Sequence, residues 1–224
     1  LSNQYLPVSG VLVRAPSGEL KLGEHMFTPL DKTAIEWLQK QGEVEIVAPK
    51  AETQPLLVAT TALSGTPIFG VVGILPSAEA RLLGFDKIVV EGNYLRDGEE
   101  NTILISGELK DKLGIKINAT LRLGREMVRV VGIYSEEKLK WLNDMDGTPV
   151  TPNKLVNLSP PGEPPNIVAT PVEADELVIC GLETALKIPG VFLSRIDAML
   201  KKGEVVNGFA ERVALERNYD VWAS

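Results

Sequence analysis

Apolar residues recur at two spacings along this chain, and the spacing changes from segment to segment. Residues 10–16, GVLVRAP, alternate and are rich in valine, which predicts a strand. In 28–42, TPLDKTAIEWLQKQG, residues Leu30, Ala34, Trp37 and Leu38 fall at i, i+4, i+7 and i+8, one helical face. Thr28 is the candidate N-cap, Pro29 suits the first helical position, Asp31 favours the first turn and Gly42 is a natural stop. EVEIVAP at 43–49 then predicts a second strand.

From about 56 to 142 the pattern shortens. LLVATTAL (56–63), PIFGVVGIL (67–75) and KIVVEG (87–92) predict strands. TILIS (102–106) runs into GELKDKLG, where Ser106 caps a short helix, Leu109 and Leu113 share its face and Gly114 ends it. ATLRLGREMVRVVGIY (119–134) predicts a hairpin turning at Gly124-Arg125, since Gly in the first loop position suits a type II′ turn. Ser135 caps a further short helix, in which Glu136 and Lys140 stand at i, i+4.

Residues 143–171 hold most of the proline clusters, which removes backbone donors and predicts an extended return segment over the surface, pinned by Val150, Leu155, Val156, Leu158, Ile167 and Val168. The C-terminal part regains the first texture. DELVICG (175–181) and VFLSRIDAML (191–200) predict strands, with a short turn or helix at ETALKIPG between them. EVVNGFAERVALERN gathers Val206, Phe209, Ala210 and Val213 on one helical side, and YDVWAS closes as a strand. The fold class expected is α+β: a β-α-β domain made from both chain ends (1–55 and 172–224), an inserted mixed α/β subdomain (56–142), and the return segment (143–171).

Composition narrows the function rather than the fold. Of 224 residues, 44% are hydrophobic and 24% charged, with 23 Lys+Arg against 30 Asp+Glu and a net charge of -7. This is a chain able to bury a core, and its acidic balance argues against nucleic acid as a partner. No basic segment followed by an apolar run opens the sequence, so no signal peptide is expected within it, and no apolar stretch of about 18 residues is present. There is one Cys, Cys180, and one His, His25, so an intrachain disulfide is impossible and a Cys/His zinc site lacks its ligands.

The remaining chemistry is weighed residue by residue. His25 lies in a polar loop with no Gly-x-Ser-x-Gly elbow anywhere in the chain. Cys180 lies in the apolar run LVICGL without a basic neighbour, a setting for a buried core thiol. No phosphate-binding glycine loop occurs; Gly65, Gly70 and Gly73 lie in strand-like sequence. Asp144 and Asp146 in NDMDGTP look like part of a calcium loop. With Gly147 in sixth place, however, Leu142 would stand first and Asn153 twelfth, so a turn built on Asp-Gly is expected instead. Glu99-Glu100 and Glu136-Glu137 are sequence neighbours that point apart, and Asn118 and Asn157 open glycosylation sequons. No catalytic, cofactor-binding or metal-ligating residue is singled out, and no cofactor is expected.

The segment VVEGNYLRDGEENTILISGELKDKLGIKINATLRLGREMVRVVGIYS, centred on 89–134, resembles the extracytoplasmic core domain of MacB/FtsX-type ABC transporter permeases. That family has an acidic turn, a strand like TILIS, a short helix with Leu and a terminal Gly, and a hairpin ending like VRVVGIY. An early strand, a helix and a strand like VEIVAP precede them, and only 143–171 falls outside the likeness. The resemblance implies a non-catalytic domain of a cell-membrane protein, periplasmic or extracellular, that transmits ATP-driven movement of transmembrane helices to substrates or partners outside. It implies an ABC ATPase subunit or domain as partner through the transmembrane part, a second permease copy in a dimer, and an extracytoplasmic adaptor or enzyme. The alternatives are a free-standing soluble ligand-binding protein and a carboxylate-dependent hydrolase. Both ends of such a domain are expected at one sheet edge.

Overall fold

The computed structural model describes residues 9–14, 30–56 and 58–223. Its first half runs β1 (Gly10–Arg14), α1 (Lys32–Gln39), β2 (Val44–Thr53), β3 (Thr61–Leu63), β4 (Thr66–Ile68), β5 (Gly70–Ile74), α2 (Pro76–Leu83), β6 (Val89–Gly92), β7 (Thr102–Ser106) and α3 (Gly107–Leu113). There follow β8 (Thr120–Leu123), β9 (Glu126–Tyr134), α4 (Glu136–Lys140), β10 (Asn153–Asn157), β11 (Ile167–Pro171), β12 (Leu177–Gly181), α5 (Leu182–Ala185), β13 (Val191–Leu200), α6 (Val206–Arg217) and β14 (Asp220–Ala223).

Among the described residues one mixed sheet takes up all strands but β10 and β11, in the order β14-β1-β13-β2-β5-β12-β7-β9-β8-β3-β4, with β6 added to β9. The strands from both chain ends pair antiparallel with one another, and β5 joins them to the rest along a short stretch of β2, from Lys50 opposite Ile74 to Glu52 opposite Val72. β12 lies parallel to β5 on one side and antiparallel to β7 on the other. This mixed α/β fold, with a sheet built from N- and C-terminal strands, agrees with the expected fold class.

Strand alternation gives the β1-β13-β2 segment two different faces. Val11, Val13, Val47, Ala51, Ile196 and Ala198 meet α1 through Ala34 and Leu38, and α6 through Phe209, Ala210 and Val213. The opposite face sends Ile46, Ala48 and Met199 against Ala78 and Leu82 of α2 and Met145. With both faces covered, any polar side chain of β2 or β13 in this region is committed to burial.

Several expectations are met in detail. Ser106 accepts from the Leu109 amide at 2.9 Å and Gly114 ends α3 in the left-handed region. Leu123 pairs with Glu126, and the positive φ of the hairpin turn falls on Gly124. Others are corrected. Asp31, not a residue before it, caps α1 by accepting from the Thr33 amide at 3.0 Å, and α1 stops at Lys40, short of Gly42. Among the described residues of 56–63 the strand is Thr61–Leu63, and 67–75 is two strands rather than one. The return segment holds a two-stranded hairpin, β10 with β11, in which Leu158 and Ile167 are exposed, while Val150 ahead of the hairpin is buried. The chain also contains α2, which hydrophobic spacing alone did not bring out. His25, Thr28, Pro29, the end of the first expected strand at 15–16, Leu57 and Ser224 lie outside the described residues.

Candidate functional site

Where the return segment meets the sheet, three carboxylates converge on a buried ammonium. Lys50 stands on β2 with no exposure to solvent. Its Nζ donates to Asp144 Oδ1, lies 3.4 Å from Glu79 Oε1 of α2, and lies 3.6 Å from Asp197 Oδ2 of β13. Arg195, two residues before Asp197 and therefore on the same strand face, reaches Asp144 Oδ2 at 2.7 Å and Glu52 Oε2 at 3.0 Å. On β1, Arg14 holds Asp146 at 2.6 Å. Residues 143–149 thus form a strap pinned by two carboxylates, with Met145 packed where Gly10 leaves room; a Cβ on Gly10 would come within 2.3 Å of Met145 Cε.

The local sequence explains the strap. Gly147 takes φ +79°, the Gly147 amide donates to the Asp144 carbonyl at 2.9 Å, and Asp146 Oδ1 accepts from the amide and hydroxyl of Thr148. This is the Asp-Gly turn expected of NDMDGTP, and its two carboxylates face inward to cations rather than outward to a metal. Among the described residues no group of Asp, Glu, Cys and His has the arrangement of a metal site.

Charge within the joint is unbalanced. Among the described residues, Glu52, Glu79, Asp144 and Asp197 face only Lys50 and Arg195, and both oxygens of Glu79 and of Asp197 lack a hydrogen-bond donor. Burial pushes the Glu79 carboxyl up to about 7, against the pull of Lys50 and with the charges of Asp197 and Asp144 adding to it. Burial likewise raises Asp197 to about 6, against Lys50 and with Asp144 adding to the rise. For Lys50 burial acts downward, but Asp144, Glu79 and Asp197 outweigh it and hold the ammonium above the usual lysine range. Asp146 is held low: burial opposes this, but the Thr148 bonds and Arg14 prevail.

Of the sequence candidates among the described residues, only Asp144 and Asp146 enter this joint. Cys180 is buried in β12, and burial pushes its thiol up to about 12. Glu99 pairs with Arg129 at 2.7 Å and Glu100 with Lys187 at 2.5 Å, on the surface. Glu136 and Glu137 occupy the first turn of α4, where negative charge is favoured. Asn118 takes a left-handed conformation, and Asn157 Oδ1 accepts from the amides of Ser159 and Asn166.

Lys50, Glu79, Arg195 and Asp197 escaped the sequence reading. Two signals were present: Arg-x-Asp inside the otherwise apolar VFLSRIDAML, and Lys inside VAPKAET, both charges within strands. Glu79 was hidden with its helix, although Pro76 at the start and Gly84 at the end of PSAEARLLG are ordinary helix boundaries.

The model of one protein family, the MacB-like periplasmic core domain, matches residues 3–213. Among solved structures, the periplasmic region of MacB from Actinobacillus actinomycetemcomitans superposes with a TM-score of 0.57 at 11% identity, covering 96% of this chain and 88% of that one. The extracellular domain of the noncanonic ABC-type transporter YknZ from Gram-positive bacteria superposes with a TM-score of 0.55 at 13% identity, covering 96% and 99%. At such identities these two speak for the fold. A comparison with curated protein sequences gives no match.

Proposed function

Because the chain belongs to the family of MacB-like periplasmic core domains, we propose that it acts as the rigid element through which a MacB/FtsX-type permease carries ATP-driven movement of its transmembrane helices outward. The chain is a non-catalytic extracytoplasmic domain of such a permease, and no helix among its described residues is long and apolar enough to cross a membrane. An ABC ATPase and a second permease copy are its partners in this reading, with an adaptor or enzyme engaged outside the membrane.

One observation carries the reading. β1 and β14 are antiparallel neighbours, with Val11 opposite Ala223. The start of the first described strand and the end of the last therefore stand side by side at one sheet edge, as a domain moved by two adjacent helices requires. The division into a part from 1–55 and 172–224, an inserted part 56–142 and a return segment 143–171 belongs to the same proposal. In it, the Lys50 joint is the coupling element: α2 comes from the inserted part, Asp144 from the return segment, and Lys50, Arg195 and Asp197 from the end-built part. A hinge or shear displacement at the membrane is then transmitted through the closed joint to the inserted part.

The test uses the full-length permease assembled with its ATPase. Spin labels at Leu215 on α6 and at Arg125 in the β8–β9 turn report the two ends of the domain. The expected result is a shift of the Arg125–Arg125 distance between the two copies with ATP, while the Leu215–Arg125 distance within a copy holds. Loss of the outward shift in Lys50→Met, with ATP hydrolysis retained, is expected of a coupling element. Unchanged distances through a working ATPase cycle would overturn the reading.

A further inference from the structure

The joint has too few cations for its carboxylates, and the surplus falls on two side chains that solvent does not reach. Glu79 and Asp197 are both fully buried, and none of their four carboxylate oxygens has a hydrogen-bond donor among the described residues. Each lies in ion-pair range of Lys50 Nζ, at 3.4 and 3.6 Å, without forming a hydrogen bond to it. The best positions on Lys50 and Arg195 are taken by Asp144, one oxygen to each. A carboxylate left buried without a donor is costly, and the least expensive remedy available to it is a proton, which removes the charge and supplies an O–H.

We propose that Glu79 and Asp197 form a proton-binding site, holding one exchangeable proton between them, and that its release loosens the strap 143–149 and α2 from strands β1, β13 and β2. The inference rests on the reading of the joint as the coupling element and assigns its regulation. The surroundings fit a single proton. Lys50 from β2 and Arg195 from β13 remain charged, Asp144 is hydrogen-bonded to Lys50 and ion-paired through its other oxygen with Arg195, and Glu52 is bonded to Arg195. Asp146 on the strap is committed to Arg14 of β1. Tyr94 donates to the Pro76 carbonyl at 3.2 Å beside α2 and stays protonated, since burial and the Glu79 charge both raise it. With the proton present the six central groups, Lys50, Arg195, Glu52, Glu79, Asp144 and Asp197, carry one surplus negative charge; without it they carry two, in a region where like charges repel strongly. Glu79 and Asp144 are the two members contributed from outside the end-built strands, so the added repulsion acts across the joint.

The experiment takes the 224-residue chain and its Glu79→Gln and Asp197→Asn variants from about pH 5 to about pH 8. Infrared spectroscopy reads the carbonyl band of a protonated carboxyl, and amide hydrogen exchange, corrected for its intrinsic pH dependence, reads protection in 143–149 and α2. In the native chain the band is expected to persist at about pH 6 and to disappear by about pH 8, with protection falling by up to about tenfold per pH unit. Either substitution should remove that band, and Glu79→Gln should flatten the pH dependence of protection. Absence of the band at about pH 6 in the native chain, or its survival unchanged in both variants, would overturn the proposal. If a variant fails to fold, the native spectrum and exchange profile decide alone. A silent spectrum together with uncoupling in Lys50→Met would remove the proton and leave the coupling reading standing; a titrating band with normal coupling in Lys50→Met would do the reverse.

Discussion

Val11 and Ala223 face each other across the β1–β14 ladder, 212 positions apart in sequence and neighbours in the sheet. Antiparallel pairs of this kind hold their Cα atoms about 4.5–5.5 Å apart. In the proposed function, this pairing of the first and last described strands is what would let one domain respond to two helices at once. Cysteines at Val11 and Ala223 would report on the ladder but would disturb the core beneath Val11. Labels at Arg14 and Asp220, the opposed pair at the other end of the ladder, spare that core at the cost of the Arg14–Asp146 pair, and a single narrow distance distribution is expected.

Removing the central cation should be severe. Lys50→Met leaves Glu79, Asp144 and Asp197 buried without their shared ammonium, and breaking a buried ion pair from one side costs about 3–5 kcal/mol. Denaturant unfolding is expected to show a loss of that size at neutral pH, and a smaller loss in mildly acid solution, where the Glu79–Asp197 pair holds its proton.

The stability of the native chain should fall as pH rises toward neutrality. Glu79 is raised from 4.5 to about 7 and Asp197 from 3.8 to about 6, so the folded state binds more protons than the unfolded state in those windows. Their contribution is present below the unfolded values and is lost as pH rises through the folded ones. Asp146 and Glu43 are shifted the opposite way, and their contributions disappear only in more acid solution, below the usual carboxylate range. Unfolding midpoints measured between about pH 5 and 8 are expected to decline, and the decline should be shallower in Glu79→Gln. A midpoint that climbs over this range would contradict the assignment of the raised carboxyls.

Gly73 is where α5 closes on the sheet. A Cβ there would come 2.2 Å from Ala185 Cβ, so Gly73→Ala should cost about 1–3 kcal/mol through overpacking. Ala185→Gly removes the clashing atom, and the double variant is expected to recover much of the loss in a thermodynamic cycle.

Cys180 gives a simple probe of integrity. Burial both shields the thiol and pushes its ionisation up to about 12, so a thiol reagent at neutral pH should leave the native chain unmodified and label it fully in denaturant. Rapid labelling of the native protein would mean that β12 opens readily.

Much of this fold was determined by the sequence alone, and its successes share a physical basis. Ser106, Gly114, the Gly124-Arg125 turn, Ser135 and the α6 face of Phe209, Ala210 and Val213 are local: each depends on residues within a few positions, where capping, turn preference and helical spacing act directly. The family likeness rested on the same local elements. What only the tertiary structure decided was which charges share a space. Lys50, Glu79, Asp144 and Asp197 are drawn from four elements spread over nearly 150 positions, and a charged residue in a strand looks the same in sequence whether its face meets water or a helix. Burial of β2 and β13 on both sides converts those charges into one interacting group, because the interaction depends on distance and on exclusion of water, neither of which is a property of neighbouring residues.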